Sequence, residues 1–243
     1  MLTIKKHIPN FFTLMNIVCG FVAITYALQS EFLMAFYWII GAAFFDFIDG
    51  AVARLLKVQS EIGKQLDSLC DVVSFGVAPG MIAFMMMMQL RSLAFPLEGL
   101  SFVDLLFLLS PLFIPAFSAL RLAKFNVDTR QSDRFIGLPV PANALLIASL
   151  AALTAQESAP WLVTWLSKAP LWAFISLVLS YLLVSPLPMF ALKFKNLKWK
   201  GNALRFIFLI ISALLLVFWG LAGVALAIVL YILLSLIVSL LKA

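Results

Sequence analysis

Residues 46–54 read Asp46-Phe-Ile-Asp49-Gly50-Ala-Val-Ala53-Arg54, and residues 63–71 read Gly63-Lys-Gln-Leu-Asp67-Ser-Leu-Cys-Asp71. Both stretches lie inside long apolar runs, so four carboxylates sit where hydrocarbon is expected. On an insertion scale each Asp at a helix centre costs about 2.5–3.5 kcal/mol. Four of them cost roughly 10–14 kcal/mol on that scale, more than two helices carry without compensation. They must lie near the interface, line a wet cavity or be neutralised by something else.

The rest of the chain explains why a membrane is the right frame. Of its 243 residues 64% are hydrophobic and 12% charged, and the mean hydropathy is +1.11. A soluble domain is about half apolar and about a quarter charged, so this chain cannot cover a soluble surface. That composition excludes a secreted disulfide scaffold, a disordered chain and a nucleic-acid module, despite the net charge of +6. Cys19 and Cys70 both fall in apolar segments and carry no redox argument. The basic start, Lys5-Lys6-His7, resembles the flank of a signal peptide, but no small-residue cleavage site closes the following segment, which reads as a retained first span.

A spanning helix needs about 20 apolar residues. Apolar runs and their breaks place spans near 9–28, 33–54, 63–88, 102–124, 139–156, 171–192, 203–220 and 223–241, the last two joined by a tight hairpin at Gly220-Leu-Ala-Gly223. The fold class expected is therefore all-α: a polytopic membrane helical bundle of about eight transmembrane helices, with one domain over 1–243. Of the 17 Lys and Arg, 15 fall on the side of the termini and only Arg91 and Lys168 on the other. The bias predicts cytoplasmic termini, and it sets cations against anionic headgroups.

In that topology the second span runs inward and the third outward. Antiparallel pairing sets Asp46 level with Asp71 and Asp49 level with Asp67. At 1.5 Å per residue Asp46, eight residues from Arg54, and Asp71, eight residues from Gly63, lie about 12 Å below the cytoplasmic helix ends. Spacings of three and four keep each pair on one helix face. Four carboxylates converging at one depth suit hard divalent cations, Mg²⁺ or Mn²⁺, and two such ions would cancel the four charges. Gly50, Ala53 and Gly63 leave that face without bulk, and Arg54 is placed to hold a phosphate at the mouth. Any one of these residues alone also reads as a packing glycine or a helix-pairing Asp; the whole set at matching depth does not.

The run from Asp46 through Asp49, Gly50, Ala53, Arg54, Gly63 and Asp67 to Asp71 resembles the signature of the CDP-alcohol phosphatidyltransferases without a departure. That resemblance, carried by residues 46–71, implies attack of an alcohol on the pyrophosphate of a CDP-activated lipid. It makes Asp46, Asp49, Asp67 and Asp71 ligands of two divalent cations, with Asp71 also the catalytic base. It gives Asp49, Gly50, Ala53, Arg54, Ser60 and Gly63 to CDP-diacylglycerol. Asn10 and Thr13, after Pro9, look like the family's N-terminal nucleotide-contacting segment, although a helix cap would account for them equally well.

The acceptor is read from Ser118-Ala-Leu-Arg121-Leu-Ala-Lys124-Phe-Asn126 and from Phe135-Ile-Gly137-Leu-Pro139-Val-Pro141, which resemble the integral-membrane phosphatidylserine synthase branch. L-serine offers a carboxylate that Arg121 can meet bidentately, and an ammonium for Asn126 or Asp128. Glycerol 3-phosphate or an inositol phosphate is the alternative acceptor, and a cation transporter using the Asp cluster is the alternative class. The partners expected are CDP-diacylglycerol, L-serine, membrane lipids and, with room for one, a second copy in a homodimer; nucleic acid is not among them. The expected location is the cell membrane, multi-pass, with the site facing the cytoplasm. His7 reads as a surface residue, and Met85–Met88 as lipid-facing or packing side chains.

Overall fold

The computed structural model describes residues 7–58, 60–127, 135–155, 160–190, 199 and 202–241. Helix α1 (His7–Leu28) turns through three residues into α2 (Phe32–Leu56). Small residues make that hairpin tight: Ala23 and Ala27 on α1 and Ala35 and Ala42 on α2 are fully buried, so the two backbones approach closely. α2 ends on Lys57 in the left-handed conformation, its N–H reaching the carbonyls of Ala53 and Arg54. Ser60 then caps α3 (Glu61–Leu90), its Oγ accepting the Gly63 N–H at 2.9 Å.

α3 is one helix with a π turn, Val72–Val77, directly after Asp71. Pro79 follows two residues later. A proline ring clashes with the carbonyl four residues back, here Phe75, and widening the preceding turn relieves that clash. α4 (Phe102–Val127) carries a 3₁₀ turn at Ser110–Leu112 around Pro111. After the short strand β1 (Phe135–Ile136) come α5 (Val140–Leu153), α6 (Pro160–Leu166), α7 (Ala169–Val184) and β2 (Pro188–Met189). The strands form a two-residue antiparallel bridge, Phe135 opposite Met189 and Ile136 opposite Pro188. The last element is α8 (Ala203–Leu240).

Gly220 breaks α8 with φ 50° and ψ −118°. The chain reverses there, because a Cβ on Gly223 would overlap the backbone carbonyl of Leu215, eight residues earlier. A straight helix would separate those residues by about 12 Å. The two arms correspond to the expected hairpin of 203–220 and 223–241.

The molecule is a polytopic membrane helical bundle. Five helices are long and apolar enough to cross a bilayer, and α5 and α7 are shorter apolar helices. With α8 counted as two arms, these are the eight expected segments. Three details differ from expectation. The segment read as 171–192 stops at Val184, because Pro186 and Pro188 cannot continue a helix and the chain becomes extended at Ser185. The segment read as 139–156 is helical only to Leu153. The seven-residue α6 lies between two expected spans. α5 is buried on nearly every side, against α2, α3 and α8, and so is apolar all round. Met85 to Met88 are buried too, and so they are packing rather than lipid-facing residues. The outer surfaces show Phe11, Phe21, Phe44, Phe47, Phe102 and Phe218, as lipid-facing helices should.

Candidate metal centre and substrate cavity

The carboxylates sit on the facing walls of α2 and α3. Asp46, Asp49 and Asp67 each offer a ligand oxygen, and these oxygens lie within 4.8 Å of one another. Among the described residues none of the three is in an ion pair. Oδ1 of Asp67 is buried without a hydrogen-bond partner. Like charges this close, with an orphaned buried oxygen, fit the requirements of a hard divalent cation with oxygen ligands.

α1 completes the centre. Thr13 is buried and donates from Oγ1 to Oδ2 of Asp49 at 2.6 Å. The carbonyl of Pro9 lies 3.2 Å from the same oxygen; with one proton to give, the hydroxyl serves the carboxylate. One turn further, Asn16 Nδ2 donates to Oδ1 of Asp71 at 3.0 Å. Asp71 stands outside the trio, within electrostatic reach of Asp46, Asp67 and Asp49.

A cavity of about 510 Å³ opens beside the trio, a size typical of small-molecule sites. All eight residues expected to contact CDP-diacylglycerol line it: Asn10, Thr13, Asp49, Gly50, Ala53, Arg54, Ser60 and Gly63. Asp67, Pro9, Val58, Glu61 and Lys64 complete the wall. Two local roles are more particular than expected. A Cβ on Gly50 would lie 3.3 Å from Nη1 of Arg54, so the space over Gly50 receives the Arg54 guanidinium. A Cβ on Gly63 would meet Ser60 Oγ at 2.9 Å and Asn10 Oδ1 at 3.1 Å, so Gly63 lets the starts of α1 and α3 converge.

Of the residues expected to read the acceptor, Arg121 and Asn126 are among those described, and they have different partners. Arg121, on α4, is buried, its Nε lacks a hydrogen-bond partner, and Asp71 and Tyr231 are within its electrostatic reach. Asn126 instead ties α4 to α3: its Nδ2 donates to Ser68 Oγ at 2.8 Å and its carbonyl accepts from Lys64 Nζ at 3.1 Å. Asp128 lies outside the described residues. Sequence reasoning passed over Asn16, whose signal was a polar residue one turn from Thr13 in an otherwise apolar helix. It also passed over Tyr231, which packs on Phe190 and Phe208 and donates to the Phe190 carbonyl at 3.1 Å.

Known proteins share this arrangement of sequence. The CDP-alcohol phosphatidyltransferase family pattern matches residues 6–169. A protein of Helicobacter pylori named CDP-diacylglycerol–serine O-phosphatidyltransferase is 40% identical over 141 residues, covering 57% of this chain and 54% of that protein. Proteins of the same name from Methanocaldococcus jannaschii and Bacillus subtilis are 36% and 34% identical, over 63% and 60% of this chain and 65% and 75% of their own lengths. The chain thus spans about half the length of the Helicobacter relative. The matched region runs from the start of α1 to the start of α7 and takes in the trio, Asp71 and the whole cavity wall. On that coincidence of pattern and site, the chain belongs to the CDP-alcohol phosphatidyltransferase family.

Proposed function

We propose that the protein transfers the phosphatidyl group of CDP-diacylglycerol to the hydroxyl of L-serine, giving phosphatidylserine and CMP. The observation that carries this is the carboxylate trio, two of whose members, Asp49 and Asp67, line the cavity, with a fourth carboxylate beside it. Asp46, Asp49 and Asp67, with Asp71 at the edge, would hold two divalent cations, Mg²⁺ or Mn²⁺. Bound there, such ions supply charge stabilisation to the pyrophosphate and its CMP leaving group.

The chain's own residues do the rest. Arg54 and Lys64 set positive charge along the cavity against phosphate oxygens. Asp71 accepts the proton of the serine hydroxyl as that oxygen attacks the lipid-side phosphorus. The bond from that phosphorus to the CMP phosphate oxygen breaks, and CMP departs with the electron pair. Arg121 takes the serine carboxylate. The Lys and Arg bias supports a cavity that faces the cytoplasm, with the acyl chains of the lipid left in the bilayer. Serine is favoured over other acceptors by the names of the relatives and by a buried guanidinium near Asp71.

The test is CMP release by purified protein with CDP-diacylglycerol, Mg²⁺ or Mn²⁺, and a panel of serine, glycerol 3-phosphate and inositol phosphate. Release with serine alone is expected. Release with another member in its place moves the acceptor assignment to that alcohol. Metal-independent ion flux in liposomes, with no CMP release, would point to transport.

A further inference from the structure

We infer that Asn126 is a positioning residue for the phosphates of CDP-diacylglycerol, acting through Lys64, and so serves the lipid substrate instead of the acceptor. The inference rests on the reading of the cavity as the CDP-diacylglycerol site and adds what holds one of its basic side chains in place. Glu61, Lys64 and Asp67 follow one another at spacings of three along α3, and all three line the cavity. At that spacing a lysine can meet a carboxylate on either side of it. Among the described residues Lys64 pairs with neither. Its Nζ donates to the carbonyl of Asn126 at 3.1 Å instead. That carbonyl belongs to the last turn of α4, where helix carbonyls lack intrahelical partners and the helix end attracts a cation. An ammonium has three donors, so two remain for phosphate oxygens. Held by a neutral carbonyl, its charge is not cancelled.

The Asn126 side chain sets where that carbonyl lies. Its Nδ2 donates to Ser68 Oγ at 2.8 Å, and the Ser68 hydroxyl donates in turn to the carbonyl of Lys64 at 3.3 Å. With the bond from Lys64 Nζ, these hydrogen bonds close a ring between the end of α4 and the first two turns of α3. The ring is chemically consistent, because the Ser68 hydroxyl has one proton to give and lone pairs to receive the amide. Without the amide, the end of α4 is no longer tied to Ser68 and its carbonyl no longer meets Lys64 Nζ. The ammonium is then released toward Glu61 or Asp67, one turn to either side, where a carboxylate cancels the charge that the phosphates need.

The test measures CMP release by wild type, Asn126→Leu, Ser68→Ala, Lys64→Met, Arg54→Met and the double variant Asn126→Leu with Lys64→Met, using whichever alcohol the wild type accepts. Asn126→Leu is expected to raise the KM for CDP-diacylglycerol about 2- to 12-fold, the span of one neutral hydrogen bond, and to leave the acceptor KM within about twofold of wild type. Ser68→Ala breaks the same ring from the α3 side, should act alike, and serves if the leucine variant does not fold. The double variant should match Lys64→Met, because the ring then has no ammonium to place. Salt screens an ammonium–phosphate contact, so the KM for CDP-diacylglycerol should rise less steeply with salt in Asn126→Leu and Lys64→Met than in wild type. A role confined to folding would leave that slope unchanged. An unchanged KM for CDP-diacylglycerol in Asn126→Leu and Ser68→Ala, beside a raised one in Lys64→Met, overturns the positioning role alone. So does a double variant in which the two effects add, since Asn126 would then act apart from Lys64. A raised acceptor KM in Asn126→Leu overturns it as well and returns Asn126 to the acceptor. An unchanged KM for CDP-diacylglycerol in Lys64→Met also defeats the inference, and if Arg54→Met is unchanged too, the reading of the cavity falls with it.

Discussion

Replacing Arg121 by alanine takes a buried guanidinium out of the space next to Asp71. Its Nε has no hydrogen-bond partner, and a buried cation of this kind calls for an anion. Asp71 is one anion within its electrostatic reach, and the carboxylate of the proposed serine acceptor would be the second. A hydrogen bond to a charged group contributes about 1.5–3 kcal/mol, so Arg121→Ala should raise the serine KM roughly 10- to 150-fold. Arg121→Lys keeps the charge but loses the planar fork and should fall between. The assay is initial CMP release against serine concentration at saturating CDP-diacylglycerol, with the reverse titration as control. Asp71 is shared by both titrations, so a disturbance passed through it lowers kcat in each, whereas loss of the carboxylate contact raises the serine KM alone. Thermal unfolding in detergent checks that the variant stays folded. An unchanged serine KM, or equal rises for both substrates, refutes the assignment and leaves Arg121 as a topology-setting cation.

Asp71→Asn should abolish turnover while CDP-diacylglycerol binding stays measurable by equilibrium binding to detergent-solubilised protein. Gly50→Leu should push the Arg54 guanidinium off the cavity wall, raising the KM for CDP-diacylglycerol at least about tenfold, on the scale of one charge-assisted hydrogen bond, and leaving the serine KM unchanged; steady-state titrations of both substrates decide it. Gly20→Ala should lower the unfolding free energy by about 1–3 kcal/mol, the usual cost of overpacking, because its Cβ would overlap the Cα and Cβ of Ser74 as well as its hydroxyl, and turning the hydroxyl away relieves only part of that. A thermal melt indistinguishable from wild type would show that α1 can back away from Ser74 freely.

The four aspartates, Gly50, Ala53, Arg54 and Gly63 were legible because their pattern is local, whereas Asn10, Thr13 and Ser60 came only with the family resemblance. Spacings of three and four on two adjacent helices, joined by a short turn, fix relative positions without knowledge of the remaining bundle. Asn16 was not legible: its partner Asp71 is 55 residues away on another helix, and the packing of α1 on α3, close at Gly20 and Ser74, is what brings them together. The tie between Asn126 and α3 was not legible for a related reason. A polar residue at a helix end can face a cavity or a neighbouring helix, and Ser68 on α3 claims it. The length of α7 was overstated because hydropathy continues past Ser185, whereas the backbone obeys Pro186 and Pro188. The π turn had one cue, Pro79, which marks a disturbed helix without saying that the turn widens.

The reversal at Gly220 bears on how the chain enters its membrane. From Phe206 to Leu241 there is no Lys, Arg, Asp or Glu, so beyond Arg205 in its first turn both arms of α8 and the bend between them are free of formal charge. Carrying even one charge into the bilayer centre costs about 2.5–3.5 kcal/mol on an insertion scale. This pair of arms has no such barrier, and its turn needs only to bury a few backbone groups in passing. The last two crossings can therefore enter as one unit from a single side, after the charged helices that precede them have taken their places.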